Sequence, residues 1–357
     1  MTDTVAFDEA KAGEFLGKAL DDLAGANTVL LCGVGDRLGL FKELDANGPA
    51  TSEELSRRAG IDERYAREWL GGMSAAGYLS YDPANKRFTL PAEHAAVLAQ
   101  EGHAVFFGGL YEQMLGMSQV VEPLLEAFRH GGGVPQSAYA PEHWSGLERG
   151  TAAWFDNSLV QTWIPAVPDV EAALQRGIDV ADVGCGAGRA LIRLAEAYPN
   201  SRYVGFDNFP GQVERAREAV EAAGLTDKIQ FEVADAAQGL PDSYDLITTF
   251  DVIHDSADPL GLLTAIHEAL RPDGHYLCLD INCSDKLEEN AGPLATLMFG
   301  ASVFYCMTTS LAQGGAGLGT LGLHQKKMRE LATEAGFSSV DLAEIDNPFN
   351  VLYVLKP

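Results

Sequence analysis

Beyond Gly177 the chain alternates short apolar runs with segments of helical period. IDVADV, RYVGFD, KIQFEVAD, YDLITTF and HYLCLDI are β-rich runs, and RALIRLAEAY, GQVERAREAVEAAG and PLGLLTAIHEAL repeat apolar positions every three or four residues. Strands that alternate with helices predict a parallel, doubly wound α/β sheet. The last two runs, VDLAEI and NVLYVLK, are joined by a few residues around Asn347 and Pro348. That is too short for a crossover helix, so they are expected to pair antiparallel, giving seven strands in all.

The N-terminal half reads differently. Residues from about Phe7 to Leu44 carry apolar positions at helical spacing, and GDRLGLFKEL predicts an amphipathic helix ending near Asn47 and Gly48. Thr51 followed by Glu54 is a capping-box pair that starts one short helix, Gly60 can end it, and Asp62 can cap another that runs to about Ala76. Tyr78 to Tyr81 and Arg87 to Leu90 flank DPANK and predict a β-hairpin. Helix, helix, hairpin is the pattern of a winged helix-turn-helix, expected over residues 1–100. Glu101 to Arg129 reads as helical and rich in large apolar residues, and HGGGVP then breaks it. Residues 101–175 are expected to connect the halves and line a substrate site, and 176–357 to form the ligand-binding domain.

Charge changes the meaning of the winged helix. The chain of 357 residues has a formal net charge of −26, a field that disfavours nucleic-acid phosphates and anionic membrane surfaces. Residues 1–100 hold about 16 acidic and 10 basic side chains, without the basic footprint of a DNA reader. A dimerisation and substrate-lid role is the expectation for this module. No apolar run is read as reaching the roughly 18 to 20 residues of a membrane span, and MTDTVAFDEA lacks the regions of a signal peptide. A cytoplasmic protein is expected. Cys32, Cys185, Cys278, Cys283 and Cys306 form no CxxC pair and are expected as free thiols, and the eight histidines form no HxH or HxxxH pair, so no metal site is predicted.

The candidate chemistry gathers after the first strand of the sheet. In DVADVGCGAGRAL, Gly184, Gly186 and Gly188 are spaced G-x-G-x-G, and Arg189 stands where the dinucleotide fingerprint needs glycine. That argues against a nicotinamide-dependent reductase. Asp207 ends the next strand, placed to accept from both hydroxyls of a ribose. Asp235 ends the third, placed to accept from the exocyclic amine of a purine, and Asp182 is placed to meet a cationic amino group. Three carboxylates at three strand ends suit a cationic, phosphate-free nucleoside.

DVGCGAG at 182–188, YVGFD at 203–207, VADA at 233–236 and LRPDGHYLCLD, in this order, make the second half of the chain similar to class I S-adenosylmethionine-dependent methyltransferases. The layout with a winged helix ahead of that domain resembles bacterial two-domain small-molecule methyltransferases related to plant-type O-methyltransferases. The resemblance implies a Rossmann-like seven-stranded sheet with an antiparallel last strand beside an N-terminal α-helical winged-helix domain, S-adenosyl-L-methionine as cofactor, a small-molecule acceptor and a homodimer formed through the N-terminal domain. It implies cofactor contacts from Asp182, Gly184, Cys185, Gly186, Gly188, Asp207, Asn208, Asp235, Ala236 and Phe250. His254 and Asp255 match the first two residues of the HD-Trp motif that carries the plant-type base, with Ser256 in place of tryptophan. His254 is the candidate base and Asp255 its catalytic neighbour, with substrate orientation as the other role weighed for His254. Tyr111, Trp154 and Trp163 are candidate substrate-lining residues. O-methylation is the leading expectation; S- or N-methylation and a non-catalytic winged-helix regulator are the alternatives. GGAGLGTLG at 314–322 has no strand-to-helix context for nucleotide binding and is expected as a loop near the substrate pocket.

Overall fold

The computed structural model describes residues 7–357. The first six residues, which belong to the stretch read as lacking signal-peptide features, lie outside that range. Two compact units emerge: one holds the residues up to Gly116 with Glu142–Ala153, the other Met117–Pro141 with Trp154–Pro357.

In the first unit, Asp8 caps the long helix Glu9–Arg37 by accepting from the amides of Ala10 and Lys11. The single amphipathic stretch expected up to Asn47 is split, because Gly39 adopts φ +67° and starts a separate helix, Leu40–Asn47. The Thr51–Glu54 capping box forms and opens Ser52–Ala59, Gly60 closes it at φ +68°, and Asp62 caps Glu63–Ala75. Strands β1 (Ser80–Asp82) and β2 (Arg87–Thr89) form the antiparallel wing. Phe41, Leu55, Trp69, Leu70 and Met73 fill the core, and the Trp69 indole donates to the Leu31 carbonyl at 2.9 Å. The continuous helix expected from Glu101 to Arg129 is instead two, Gly108–Ser118 and Val121–His130, preceded by turns. Gly102 lies in the turns, and Pro123 stands in the first turn of the later helix, where its missing N–H is tolerated.

Within the first unit, Gly108–Ser118 and the helix Pro141–Trp154 touch backbone to backbone. A Cβ on Gly109 would lie 2.4 Å from the Gly150 amide nitrogen, and one on Gly146 would lie 2.3 Å from that of Gln113. Arg149, on the second helix, is clamped by Asp36 at 2.7 Å and Glu112 at 2.6 Å.

The second unit is built on seven strands: β3 (Asp179–Val183), β4 (Arg202–Asp207), β5 (Ile229–Val233), β6 (Tyr244–Phe250), β7 (Leu270–Ile281), β8 (Ser339–Ala343) and β9 (Asn350–Lys356). Their order is β5-β4-β3-β6-β7-β9-β8. The first five are parallel, and β9 inserts antiparallel to both β7 and β8. One core packs on each face, one around Leu191, Leu194 and Val213, the other around Leu263, Ile266 and Met328. The strand order reverses between β3 and β6, so the loops leaving their carboxyl ends open a crevice there.

One expectation is corrected. Pro293–Ala312 is a continuous helix long and apolar enough, by length and composition, to cross a membrane, with 28% of its apolar window buried. Its Ser and Thr residues disguise it as several short runs in the sequence. Here they bond within the unit: Thr308 Oγ1 accepts from the Val134 amide at 2.9 Å, and Ser310 Oγ donates to the Ser256 carbonyl at 2.9 Å.

The glycine crossing predicts opposite outcomes for two alanines. Gly109→Ala should lower stability by about 1–3 kcal/mol through overpacking, whereas Gly17→Ala, whose added methyl meets nothing within 4 Å, should gain up to about 1 kcal/mol of helix propensity. Urea midpoints of the two variants read the difference; equal midpoints would mean that the helices can separate without cost.

Candidate functional site

The glycine loop leaves β3 under restraint from the neighbouring strand. The amides of Gly184 and Cys185 both donate to the Phe206 carbonyl, at 2.7 and 3.1 Å. A Cβ on Gly184 would strike Val252 at 2.5 Å and one on Gly188 would strike Phe231 at 2.7 Å, so packing accounts for both. Gly186, at φ +51°, faces open space.

Carboxylates frame that point. Asp207, at the end of β4, accepts from the Gly186 amide at 3.0 Å and from the Phe209 amide at 2.9 Å. Burial raises its pKa against both bonds. Asp182, 2% exposed in β3, accepts from Thr248 at 2.7 Å; burial, with Asp207 adding to it, pushes its carboxyl up to about 7. Cys185 is buried beside both acids, and its thiol is pushed well up by burial first and their charges second. Asn208 is exposed. Asp235, exposed at the end of β5, accepts from the Ala237 amide at 3.2 Å, and Ala236 is buried.

A second cluster sits at the ends of β6 and β7. His254 and Asp255 lie in a short 3-10 turn after β6. The ring of His254, 3% exposed, has Nδ1 2.7 Å from Asp280 Oδ1. Its Nε2 lies 3.1 Å from Asp255 Oδ1, without the alignment of a hydrogen bond. Burial alone would lower the histidine pKa, but Asp280 and Asp255 hold it well above the ordinary range. Asp251, at φ +56°, accepts from Asn350 Nδ2 at 2.6 Å. Burial and the charge of Asp280 push its carboxyl up to about 7. The 314–322 loop packs on this turn: the Ala316 amide donates to the Ala257 carbonyl at 2.8 Å, and a Cβ on Gly315 would collide with Ala257.

Aromatic side chains border the same unit. Phe250, ending β6, stacks on Trp163 at 6.1 Å and meets Phe155 edge-on at 5.2 Å, while Trp154 stacks on Phe349 at 5.7 Å. Tyr111 belongs to the first unit, where its hydroxyl lies 3.3 Å from that of Tyr78. Phe155–Trp163 is π-helical, and from it Asp156 accepts from Arg189 Nε at 2.8 Å and from Arg193 Nε at 2.6 Å. Arg189, the residue that spoils the dinucleotide pattern, therefore ties the glycine-loop helix to this segment.

Sequence reasoning missed Asp251, Asp280 and Asn350, and it placed Cys306 and Cys283 within reach of a cofactor pocket without pairing either with another residue. Asp280 had a signal, a carboxylate at a strand end in LCLDI; the approach of Cys306 to His254 had none. The strand-end acids and the open glycine turn at Gly186 fit a phosphate-free nucleoside with a cationic tail.

Comparison with known proteins agrees with this geometry. Residues 174–336 match the family described as "Methyltransferase domain", and residues 26–100 match the "Rv2258c-like winged HTH domain". A ubiquinone biosynthesis O-methyltransferase from Cereibacter sphaeroides is 31% identical over 119 residues, 33% of this chain and 47% of that protein. The chain thus spans about half the length of the curated relatives it matches. The solved fold of mitomycin 7-O-methyltransferase MmcR superposes with TM-score 0.70 at 19% identity, over 98% of this chain and 100% of that one. Human N-acetylserotonin methyltransferase, solved in complex with SAM, gives 0.71 at 18% identity over 100% and 99%. The chain joins an Rv2258c-like winged helix-turn-helix domain to a methyltransferase domain.

Proposed function

We propose that the protein transfers a methyl group from S-adenosyl-L-methionine to a small-molecule acceptor, most readily a hydroxyl. The observation that carries this reading is the pair of neighbouring carboxylates, Asp182, buried in β3, and Asp207, half-buried at the end of β4 and accepting from the amide of the open Gly186 turn, next to the point where the strand order reverses. S-adenosylmethionine, when bound, supplies the electrophilic methyl. Asp207, already oriented by two backbone amides, accepts from the ribose hydroxyls, and Asp182 faces the ammonium group. Gly184, Cys185, Gly186, Gly188, Asn208, Asp235, Ala236 and Phe250 complete the cofactor site in this reading. The aromatic residues Trp154 and Trp163 are assigned to the acceptor.

A hydroxyl acceptor must lose its proton as the methyl arrives. His254 is assigned that proton, with Asp280 fixing the ring through Nδ1 and Asp255 beside Nε2. Phe15, Leu16, Leu20 and Leu23 are exposed along Glu9–Arg37, which supports a homodimer formed through the N-terminal domain. Five free cysteines support a reducing, cytoplasmic setting.

Two outcomes test the reading. The raised His254 pKa means that the neutral ring, the form able to accept a proton, becomes populated only as pH rises past the ordinary histidine range. With an O-acceptor, kcat/KM should therefore climb into alkaline pH. Asp280→Asn should shift the climb to lower pH, and His254→Ala should cut turnover about 100-fold with S-adenosylhomocysteine affinity unchanged. A flat profile with rates preserved in His254→Ala would point to an acceptor, such as a thiolate, that needs no base.

The second outcome concerns Asp182, which titrates near 7 in the free protein. An ammonium group held against it favours the ionised form and lowers that pKa, so binding is strongest above about 7 and weakens as pH falls, with protons released on binding. Calorimetric titration of S-adenosylhomocysteine in buffers of different ionisation enthalpy reads the release. No binding at any pH would overturn the functional reading as a whole.

A further inference from the structure

We infer that His254 Nε2, Asp255 Oδ1 and Cys306 Sγ form a binding site for a zinc ion, with a fourth coordination position left open. The sequence gives no hint of it, since residues 254 and 306 are far apart and no ligand pair of zinc spacing occurs. The fold brings the three donor atoms within 4.8 Å of one another. Tetrahedral zinc with bonds of about 2.0–2.3 Å holds its ligand atoms about 3.4–3.6 Å apart, and the His254–Asp255 separation of 3.1 Å needs only a small adjustment to meet that spacing.

Three observations separate this cluster from an ordinary buried ion pair. First, Asp255 Oδ1 is buried and makes no hydrogen bond, although Nε2 lies 3.1 Å from it, so this oxygen keeps a coordination demand that a metal between the two atoms would meet. Second, Nδ1 of the same ring is hydrogen-bonded to Asp280 Oδ1, and that oxygen also accepts from the Ile281 amide at 2.8 Å. A histidine that binds metal through one nitrogen characteristically gives its other N–H to a carboxylate, which fixes the ring and strengthens the ligand. Asp280, fully buried, occupies that supporting place.

Third, the two elements that bring the ligands are held together. Cys306 ends a π-helical stretch, Ser302–Cys306, inside Pro293–Ala312, and π segments are common where a helix must turn a functional side chain inward. A few residues on, Ser310 Oγ donates to the Ser256 carbonyl beside Asp255 and accepts from the Gly317 amide at 3.0 Å. The helix is thus tied to the turn that carries His254 and Asp255.

The donor set selects the metal. One imidazole, one thiolate and one carboxylate are mixed N, S and O ligands, which zinc accepts in tetrahedral sites, whereas magnesium and calcium require oxygen alone. Asp251 and Asp280 add negative charge around the cluster, which favours a dication. On binding, the Cys306 thiol and the Nε2–H of the ring each release a proton to solvent, and the ring holds its remaining proton at Nδ1, toward Asp280. The open position takes water or the heteroatom of an acceptor. Zinc binding does not depend on the methyl-transfer reading, and with zinc in place Nε2 is a ligand, so His254 serves as proton acceptor only in the metal-free chain.

The test is metal binding by the full chain, without acceptor or S-adenosylmethionine. After loading with zinc chloride and gel filtration, elemental analysis should find one zinc per chain. Replacement by cobalt(II) should give visible bands of tetrahedral intensity and a near-ultraviolet thiolate-to-cobalt charge-transfer band. That band should vanish in Cys306→Ser, persist in Cys283→Ser, and be lost with stoichiometric zinc in His254→Gln. A wild-type chain that retains no zinc and shows no charge-transfer band overturns the site, as does a band that survives Cys306→Ser. The wild-type spectrum decides even if a variant fails to fold, and a negative result leaves S-adenosylhomocysteine binding untouched.

Discussion

Carboxylates buried or half-buried at the carboxyl ends of neighbouring strands are the constraint around which the second unit is organised. Asp182 in β3, Asp207 ending β4, Asp251 following β6 and Asp280 in β7 lie side by side along one edge of the sheet. Removing an ionised carboxylate from water costs several kcal/mol even after relaxation, so each must be compensated locally. Asp207 is held by two amides, Asp182 by a threonine, Asp251 by Asn350 and Asp280 by an imidazole and an amide. The compensation is partial: the carboxyls of Asp182 and Asp251 are pushed up to about 7. A cation or a hydrogen-bond donor arriving at this edge therefore finds groups whose demand the protein has not met. Such unmet demand is the physical form that affinity for a positively charged ligand takes in a chain of this net charge.

The strand-ending acids also explain how much was legible in advance. Period-two and period-3.6 patterns located the sheet, and the short Asn347–Pro348 connection required the antiparallel end, because both follow from local geometry. The capping box at Thr51 and the left-handed Gly60 were legible for the same reason. The approach of Cys306 to His254 was not, because the two meet only after the polypeptide has crossed β7 and entered the helix Pro293–Ala312. That helix itself was obscured by the serines and threonines that bond it to the rest of the unit. The division of Glu101–Arg129 into two helices was missed because apolar periodicity runs on through the short turn at Gln119 and Val120.

Arg189 shows how one residue can carry both negative and positive information. As a departure from glycine it disfavours a pyrophosphate, since the third glycine of that fingerprint exists to bring helix and strand together. In the structure the guanidinium instead reaches Asp156, and Arg193 joins it one helical turn later. The charge that would have attracted a phosphate is thereby neutralised within the protein. The pair fixes the start of the glycine-loop helix against the π-helical segment that holds Phe155 and Trp163, and those rings pack on Phe250 at the end of β6. Departures from a motif are informative when the replacing side chain has a specific partner, and here the partner belongs to the aromatic wall of the crevice.

The same neutralisation governs the winged helix. On Glu63–Ala75, the segment that a DNA reader would place in a groove, Arg64 pairs with Glu68 at 2.5 Å and Arg67 with Glu63 at 3.2 Å. Arg87 on the wing pairs with Glu54 at 2.6 Å. Exposed pairs of this kind contribute little to stability, about 0–1 kcal/mol each, but they cancel the positive field that draws a protein to a phosphate backbone. What remains unsatisfied in the first unit is apolar, the row Phe15, Leu16, Leu20 and Leu23 along its first helix. With its bases paired, the module turns exposed apolar side chains to its surface along this helix instead of a positive field.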